Sequence, residues 1–410
     1  MKNESILVIT DRLRFIGGVE TYIEEFATTF DKLGFRVDCL TYFQDFQTKN
    51  NSKINMLSFR HGNFSFFGFN ISRLLAFIKT LFSLSKKNKY KSIFLHLYIS
   101  PFIIYLLNLF PKSKVFLVVH GLRYSEIWSE ISLRSEKNFL KKIIKIIKFG
   151  PTLIFYKRIQ QFSLNKSKSI IVLSAYTKSQ IIKNFRVKKN KISIIPGAVN
   201  REIYKKISDV NKNILKKRLG FAEDSKLIVL ISRIEPRKNV LAAIQAMSIV
   251  TKKVKKCQLL IISPAQDAYS QNYLADCYSK VAENGLGNYV LFTTGIDSNT
   301  AVNYYQIADV ALTISSDLET FGYTVVEALA CGVPVIGTNV GNISNILSKI
   351  DKNLIVRLNY RDIASGIIKV LSLSESKKNK LSKKCLDEIN HNYSNTNFVL
   401  NYLKLFNNAK

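Results

Sequence analysis

The stretch DLETFGYTVVEALACGVPVIGTNVG, Asp317 to Gly341, decides how this 410-residue chain is read. Two carboxylates, Glu319 and Glu327, bracket Phe321-Gly322. Tyr323 to Cys331 has the residues of a short helix, closed by Gly332 and Pro334, and Val333 to Gly337 is apolar in the manner of a buried strand. This order places the polar groups. Glu319 falls in the loop before the helix. The first helical amides, near Gly322 and Tyr323, have no intrahelical partners and point at whatever docks there, which makes an anion site. Glu327 sits roughly one turn inside, at about 1.5 Å of rise per residue, where its carboxylate can accept two hydroxyl hydrogen bonds behind the anion. A ribose joined to a phosphate fits that arrangement. Two glutamates at this spacing are commonplace on their own, so the residues around them carry the reading.

Working outward, the strand-like Lys226 to Ser232 runs into Arg233-Ile-Glu-Pro-Arg-Lys-Asn239. Arg233 stands at a strand end and Lys238 just before the next helix, so both cations can converge on one anion from two sides of a loop. Cations fixed in this way stabilise negative charge on a bound anion. Arg237, between them, is expected to be exposed. Strands at Gln258 to Ser263, Tyr289 to Thr294 and Val310 to Ile314 alternate with helices near Gln271 to Asn284 and Ala301 to Ile307. That alternation predicts a parallel doubly wound sheet. The N-terminal half begins the same way: a strand at Ser5 to Thr10, a loop from Asp11 through Gly17 and Gly18, then helical periodicity at Val19, Ile23, Phe26, Ala27 and Phe30. Val115 to Val119 is a buried strand that delivers His120-Gly121 at the end where open parallel sheets bind ligands.

The pattern E-x-F-G-x-x-x-x-E-A-x-A-x-G-x-P-V followed by V-G resembles the donor-site signature of retaining glycosyltransferases of the GT-B fold, the group 1 or GT4 family. The resemblance implies an α/β architecture of two Rossmann-like doubly wound domains facing a central cleft. Residues 1–200 are read as the acceptor-side domain, 201–390 as the nucleotide-sugar domain, and 391–410 as a helix crossing back to the first. It further implies that Arg233 and Lys238 hold the donor diphosphate and that Glu327 binds ribose. Glu319 orients the sugar beside the Phe321, Gly322 and Tyr323 backbone. Gly17 and Gly18 face the donor from the opposite domain, and His120 hydrogen-bonds a sugar hydroxyl and stabilises the leaving group. His120, Glu319, Arg233 and Lys238 are the catalytic candidates. The chain departs from the family pattern at Ser263-Pro264-Ala265-Gln266, where a glycine-rich turn is usual, and at Asn342 and Asn345, where a second glycine and an acidic residue are usual.

Composition bounds the setting. The net charge of +32 is uneven: residues 1–200 carry 33 Lys and Arg against 11 Asp and Glu, and residues 201–410 carry 28 against 18. Such a balance attracts polyanions, although a chain rich in Lys, Asn and Ile also reflects an AT-rich genome. Ile71 to Leu84 and Phe139 to Phe149 are read as amphipathic helices edged with lysine, suited to an anionic membrane surface. The longest apolar run, Ile99 to Phe110, is too short to span a bilayer, and no signal peptide is read at the start. Five scattered cysteines and four histidines show no metal-ligand spacing, so no metal and no cofactor are expected beyond a donor such as a UDP- or GDP-sugar. A reducing cytosol, peripheral to the inner membrane face, is the expected location, with a glycan or lipid-linked glycan as acceptor. A GT-B epimerase or a non-catalytic nucleotide-sugar binder keeps the same fold. Nucleic-acid binding has only net charge behind it, with no recognisable module.

Overall fold

The computed structural model describes residues 5–12, 17–43, 55–59, 65–66, 69–87, 89–96, 98–133, 139–263, 268–296 and 298–408. The chain divides into two units, Met1–Gly197 with Phe398–Lys410, and Ala198–Asn397. The sequence reading sets these boundaries at 200 and 391.

In the first unit the strands are β1 (Ser5–Arg12), β2 (Arg36–Phe43), β3 (Asn55–Leu57), the hairpin β4 (Ser65–Phe66) and β5 (Phe69–Asn70), β6 (Tyr90–His96), β7 (Lys114–Val119), β8 (Ser169–Val172) and β9 (Ile192–Ile194). Seven of them form one parallel sheet in the order β3-β2-β1-β6-β7-β8-β9. Continuous apolar runs such as Ile6-Leu7-Val8-Ile9 make this arrangement stable, because both faces of a parallel strand are covered and every side chain is buried. The strand order reverses between β1 and β6, and ligand crevices form beyond the carboxyl ends at such a reversal. β1 continues to Arg12, so Asp11 lies within a strand where a loop is expected. Its buried carboxylate accepts from the amides of Tyr98 (2.8 Å), Ile99 (2.7 Å) and Ser100 (2.6 Å), stitching β1 to the start of helix Ile99–Leu106.

The second unit holds β10 (Lys226–Ile231), β11 (Cys257–Ser263), β12 (Val290–Thr294), β13 (Val310–Thr313), β14 (Val335–Thr338) and β15 (Ile355–Val356), parallel in the order β12-β11-β10-β13-β14-β15. Here the reversal lies between β10 and β13. Both units are therefore doubly wound parallel sheets, as expected. A helix absent from the sequence reading, Tyr360–Leu371, buries Ile363, Ile367, Val370 and Leu371. Asn359 caps it by accepting from the Asp362 amide at 2.9 Å. The polar stretch that follows forms helix Glu375–Asn392.

The last helix, Asn395–Asn408, spaces Phe398, Tyr402 and Phe406 four apart, on one face. These rings pack against Tyr22, Phe26, Phe30, Phe94 and Phe116, with centroids 5.2 to 6.3 Å apart, and the hydroxyls of Tyr22 and Tyr402 share a hydrogen bond. Burying one such ring contributes on the order of 2 kcal/mol, so this helix is a structural part of the first unit's core. Of the two lysine-edged helices, Ile71–Lys87 buries Phe77 and Leu81 in the cluster that holds Leu7, Ile9, Leu40 and Tyr42, and leaves Leu75 and Phe82 exposed. The other extends well past Phe149, as Phe139–Lys166 with Pro151 inside it. No described helix is long and apolar enough to cross a membrane.

Candidate active site

At the reversal in the second sheet, β10 runs into Ser232-Arg233 and β13 runs into the loop that carries Glu319. A short 3₁₀ turn, Pro236–Lys238, follows β10, and Asn239 adopts a left-handed conformation (φ 52°) before helix Val240–Lys253. The Asn239 amide side chain donates to Arg237 O (3.3 Å) and Ile314 O (3.1 Å), tying the two loops together. This tie aims Lys238 inward: Nζ lies 2.7 Å from Glu319 Oε2, and both side chains are about one-seventh exposed, at 14% and 15%. Ser315 Oγ donates to the same carboxylate oxygen at 3.1 Å. Burial pushes the Glu319 carboxyl up, but Lys238, Arg237 and Ser315 more than offset it and hold it below the usual range.

Arg237 is not exposed. Its guanidinium meets Glu235 at 2.9 Å, approaches Glu319 Oε2 at 4.0 Å, and donates to Asp317 O at 3.3 Å. The residue turned to solvent is Arg233, whose side chain is 49% exposed while paired to Glu235 at 3.2 Å. Three cations against two carboxylates leave one surplus positive charge in the cluster. The amides that open helix Tyr323–Ala330 add partial positive charge, since no side chain caps them.

Gly322 has a left-handed conformation (φ 93°) as the N-cap of that helix. Phe321 and Tyr323 are buried, with rings 4.7 Å apart, and Phe321 also packs on Tyr393 at 5.8 Å. Both side chains serve packing, so only their backbone is available to a ligand. Asn342, one of the departures from the family pattern, explains how the loop is held: its Nδ2 donates to Phe321 O at 3.0 Å and its amide to Glu319 O at 2.8 Å. Glu327 is half-buried one turn into the helix, beside Tyr305. Burial first, and the Glu327 carboxylate second, hold the Tyr305 phenol well above its ordinary range.

The first unit contributes a second cluster. Gly17 precedes helix Gly18–Lys32 in extended backbone (φ 176°), and its carbonyl accepts from Thr21 N at 3.1 Å. A side chain at Gly17 would meet Glu20 Oε2 at 2.8 Å. His120 follows β7 and His96 ends β6. The two imidazoles pair directly, His96 Nδ1 to His120 Nε2, at 2.8 Å. Tyr22, one turn into the helix, sets its ring edge against His120 at 4.9 Å. Gly17, Gly18 and His120 thus belong to the first unit, and Arg233, Lys238, Glu319, Phe321, Gly322, Tyr323 and Glu327 to the second.

Two families match the chain in tandem: Glycosyltransferase Family 4 over residues 16–203 and Glycosyl transferases group 1 over residues 211–385. The chain belongs to the group 1/family 4 glycosyltransferases. The chain is 27% identical over 216 residues to an uncharacterized glycosyltransferase of Methanocaldococcus jannaschii, covering 52% of the chain and 53% of that protein. It is 28% identical over 195 residues to the alpha-monoglucosyldiacylglycerol synthase of Streptococcus pneumoniae, covering 47% of the chain and 42% of that protein. The chain thus spans about half the length of these relatives. In fold it is similar to the Anabaena protein Alr3699/HepE, solved in complex with UDP, with a TM-score of 0.76, 14% identity and coverage of 100% of both chains.

Ser315 and His96 are site neighbours that the sequence reading does not name, and Arg237 and Asn342 are ones to which it gives no role in the site. Arg237 lies inside the quoted Arg233-Ile-Glu-Pro-Arg-Lys-Asn239, and Ser315 is four residues before Glu319. Neither position says which way a side chain turns; only the paired loops do. The Ser263 end of the expected turn is buried, while residues 264–266 lie outside the described residues.

Proposed function

We propose that this glycosyltransferase moves a sugar from a nucleoside-diphosphate sugar to an acceptor hydroxyl, with retention at the anomeric carbon. The observation that carries this reading is the cationic cluster at the β10/β13 reversal, with Arg233 half-exposed and Lys238 inward, facing a helix N-terminus backed by Glu327. As the anomeric C–O bond breaks, its electron pair goes to the diphosphate oxygen. Arg233, Lys238 and the helix amides stabilise that charge where it forms, without reorganising. Glu327 takes the two ribose hydroxyls. Glu319, held ionised by Lys238, keeps the lysine in place and orients sugar hydroxyls. His120 donates or accepts at the sugar. Retention rests on the resemblance to retaining enzymes. Glu327→Ala is expected to weaken nucleotide-sugar binding about tenfold to a hundredfold, the loss of two charge-assisted hydrogen bonds. Calorimetric titration checks this, and unchanged affinity removes Glu327 from the site.

The setting we favour is synthesis of bacterial surface polysaccharide or glycolipid on a lipid-linked acceptor, at the inner face of the membrane. The basic first half supports it, as does the similarity to an enzyme named for a glycosyldiacylglycerol product. A more local support comes from helix Phe139–Lys166. Side chains 139–146 lie outside the described residues, but farther along Ile147, Pro151, Ile154 and Phe155 fall at helical spacing on the solvent side. Ile147, Ile154 and Phe155 are 70%, 60% and 55% exposed. Lys148, Lys157 and Arg158 flank the stripe and are exposed as well. An outward apolar stripe with cationic edges matches an anionic bilayer interface. Flotation on phosphatidylglycerol liposomes is expected, with much less on phosphatidylcholine, and the double change Ile154→Glu, Phe155→Glu abolishes it. Equal recovery from both lipids, or from wild type and variant, contradicts the membrane reading.

A further inference from the structure

The His96–His120 pair carries an inference beyond the donor site. β6 and β7 are adjacent and parallel, with His96 opposite Val118. His120, two residues past Val118, therefore returns to the same face of the sheet. Both rings are buried, their planes lie 24° apart, and His96 Nδ1 meets His120 Nε2 at 2.8 Å. A nitrogen–nitrogen hydrogen bond needs one N–H and one lone pair, so an imidazolium, which only donates, can pair only with a neutral ring. Burial lowers the His120 imidazole to about 3 and, with His120 beside it, lowers His96 well below the usual range. Both rings are therefore neutral at pH 7, and a single proton lies between them.

In that arrangement the tautomers are coupled: changing one ring requires changing the other. Ring rotation is blocked too. Tyr22 stands edge-on to His120 (4.9 Å, 82°) and tilted on His96 (5.8 Å), and its hydroxyl is tied to Tyr402. Among the described residues, His120 Nδ1 has no protein partner.

We propose that His96 is a positioning residue: by pairing with His120 Nε2 it holds His120 in one orientation and one tautomer, leaving His120 Nδ1 as the nitrogen presented to the donor sugar. This rests on the reading of the chain as a nucleotide-sugar transferase only for the last clause. Fixing the tautomer of a site histidine through a neighbour's hydrogen bond decides whether the free nitrogen gives or takes a proton. The sequence hides the pair because the partners are 24 residues apart and only strand adjacency joins them.

The test uses the full chain with 15N-labelled histidine and long-range 1H–15N spectra at pH 7. His120→Gln assigns the signal among the four histidines. Wild type is expected to show His120 as one neutral tautomer. His96→Asn, whose amide reaches the position of Nδ1, keeps it, whereas His96→Phe releases His120 into a mixture. Averaging in wild type overturns the proposal, and so does an unchanged single tautomer in a folded His96→Phe. If the phenylalanine variant does not fold, the wild-type and His96→Asn spectra still decide. With a nucleotide sugar that wild type turns over, kcat of His96→Phe falls about tenfold to a hundredfold with little change in donor KM, and His96→Asn recovers most of that loss. A parallel rise in KM and fall in Tm, with kcat intact, marks a merely structural role and overturns it. Absence of any donor turnover defeats the transferase reading and leaves the spectra to judge the pair.

Discussion

Transfer by the Arg233→Ala, Lys238→Ala double variant is expected to fall by at least about a thousandfold, because in the proposed reaction each cation stabilises charge that develops on the leaving diphosphate. The single variants separate catalysis from folding. Arg233 is half-exposed and its removal leaves only Glu235, which Arg237 still pairs at 2.9 Å. Its alanine variant is therefore expected to lose about a hundredfold in transfer at nearly wild-type stability. Lys238 is different. Its removal strands Glu319, 15% exposed, with Arg237 at 4.0 Å as the remaining cation. Breaking such a pair from one side costs about 3 kcal/mol.

The pH dependence follows from the same pair. In wild type the Glu319 carboxyl is held below its ordinary value, so its contribution to stability is full above that ordinary value and is lost as pH falls through the folded one. Lys238→Ala removes that contribution and leaves burial dominant. The stability gap between wild type and variant is thus expected to be widest near neutral pH and to narrow in acid. Melting curves across pH check this; a gap that widens in acid contradicts it.

Gly341→Ala is expected to have the second largest effect. Gly341 has φ +58°, and a Cβ there would lie 2.0 Å from Glu319 O and 2.7 Å from Glu319 C. The obstacle is backbone, so no rotamer change relieves it. The left-handed conformation alone costs an alanine about 1–2 kcal/mol. The next amide, Asn342 N, holds Glu319 O at 2.8 Å, and Leu318 is already left-handed at φ 51°, so the loop has little room to yield. We expect a loss of about 3 kcal/mol or more and a displaced Glu319, hence loss of donor binding as well. Gly287→Ala is the control, with nothing within 4 Å of its added Cβ. Equal melting temperatures and donor affinities for the two variants would falsify this account of Gly341.

Much of this was legible in the chain because the relevant signals are local. The quoted stretch contains its own helix, stop and strand, and the apolar runs of β1, β10 and β11 admit little but buried parallel strands. Helix Tyr360–Leu371 carries equally local signals, in the Asn359 cap and the spacing of Ile363, Ile367 and Val370. Helix Phe139–Lys166 runs through Pro151, where a stop is the natural expectation. Proline frees the carbonyl four residues back, and here that residue, Ile147, is at the surface, where water can satisfy it. What no local signal could give is orientation between loops. Arg237 turns inward because Asn239 is left-handed and bonded to Ile314 O, and His96 meets His120 because β6 and β7 are neighbours.

The central claim is that the cluster of Arg233, Lys238 and Glu327 binds a nucleoside-diphosphate sugar. Thermal shift across a panel of nucleotide sugars tests it most directly, since a ligand that binds only the native state at about a hundred times its Kd adds about 2.7 kcal/mol of stability. At least one nucleotide sugar should raise the melting temperature of the wild-type chain and leave the Arg233→Ala, Lys238→Ala variant unmoved. A panel that shifts neither protein, or shifts both alike, would contradict the account.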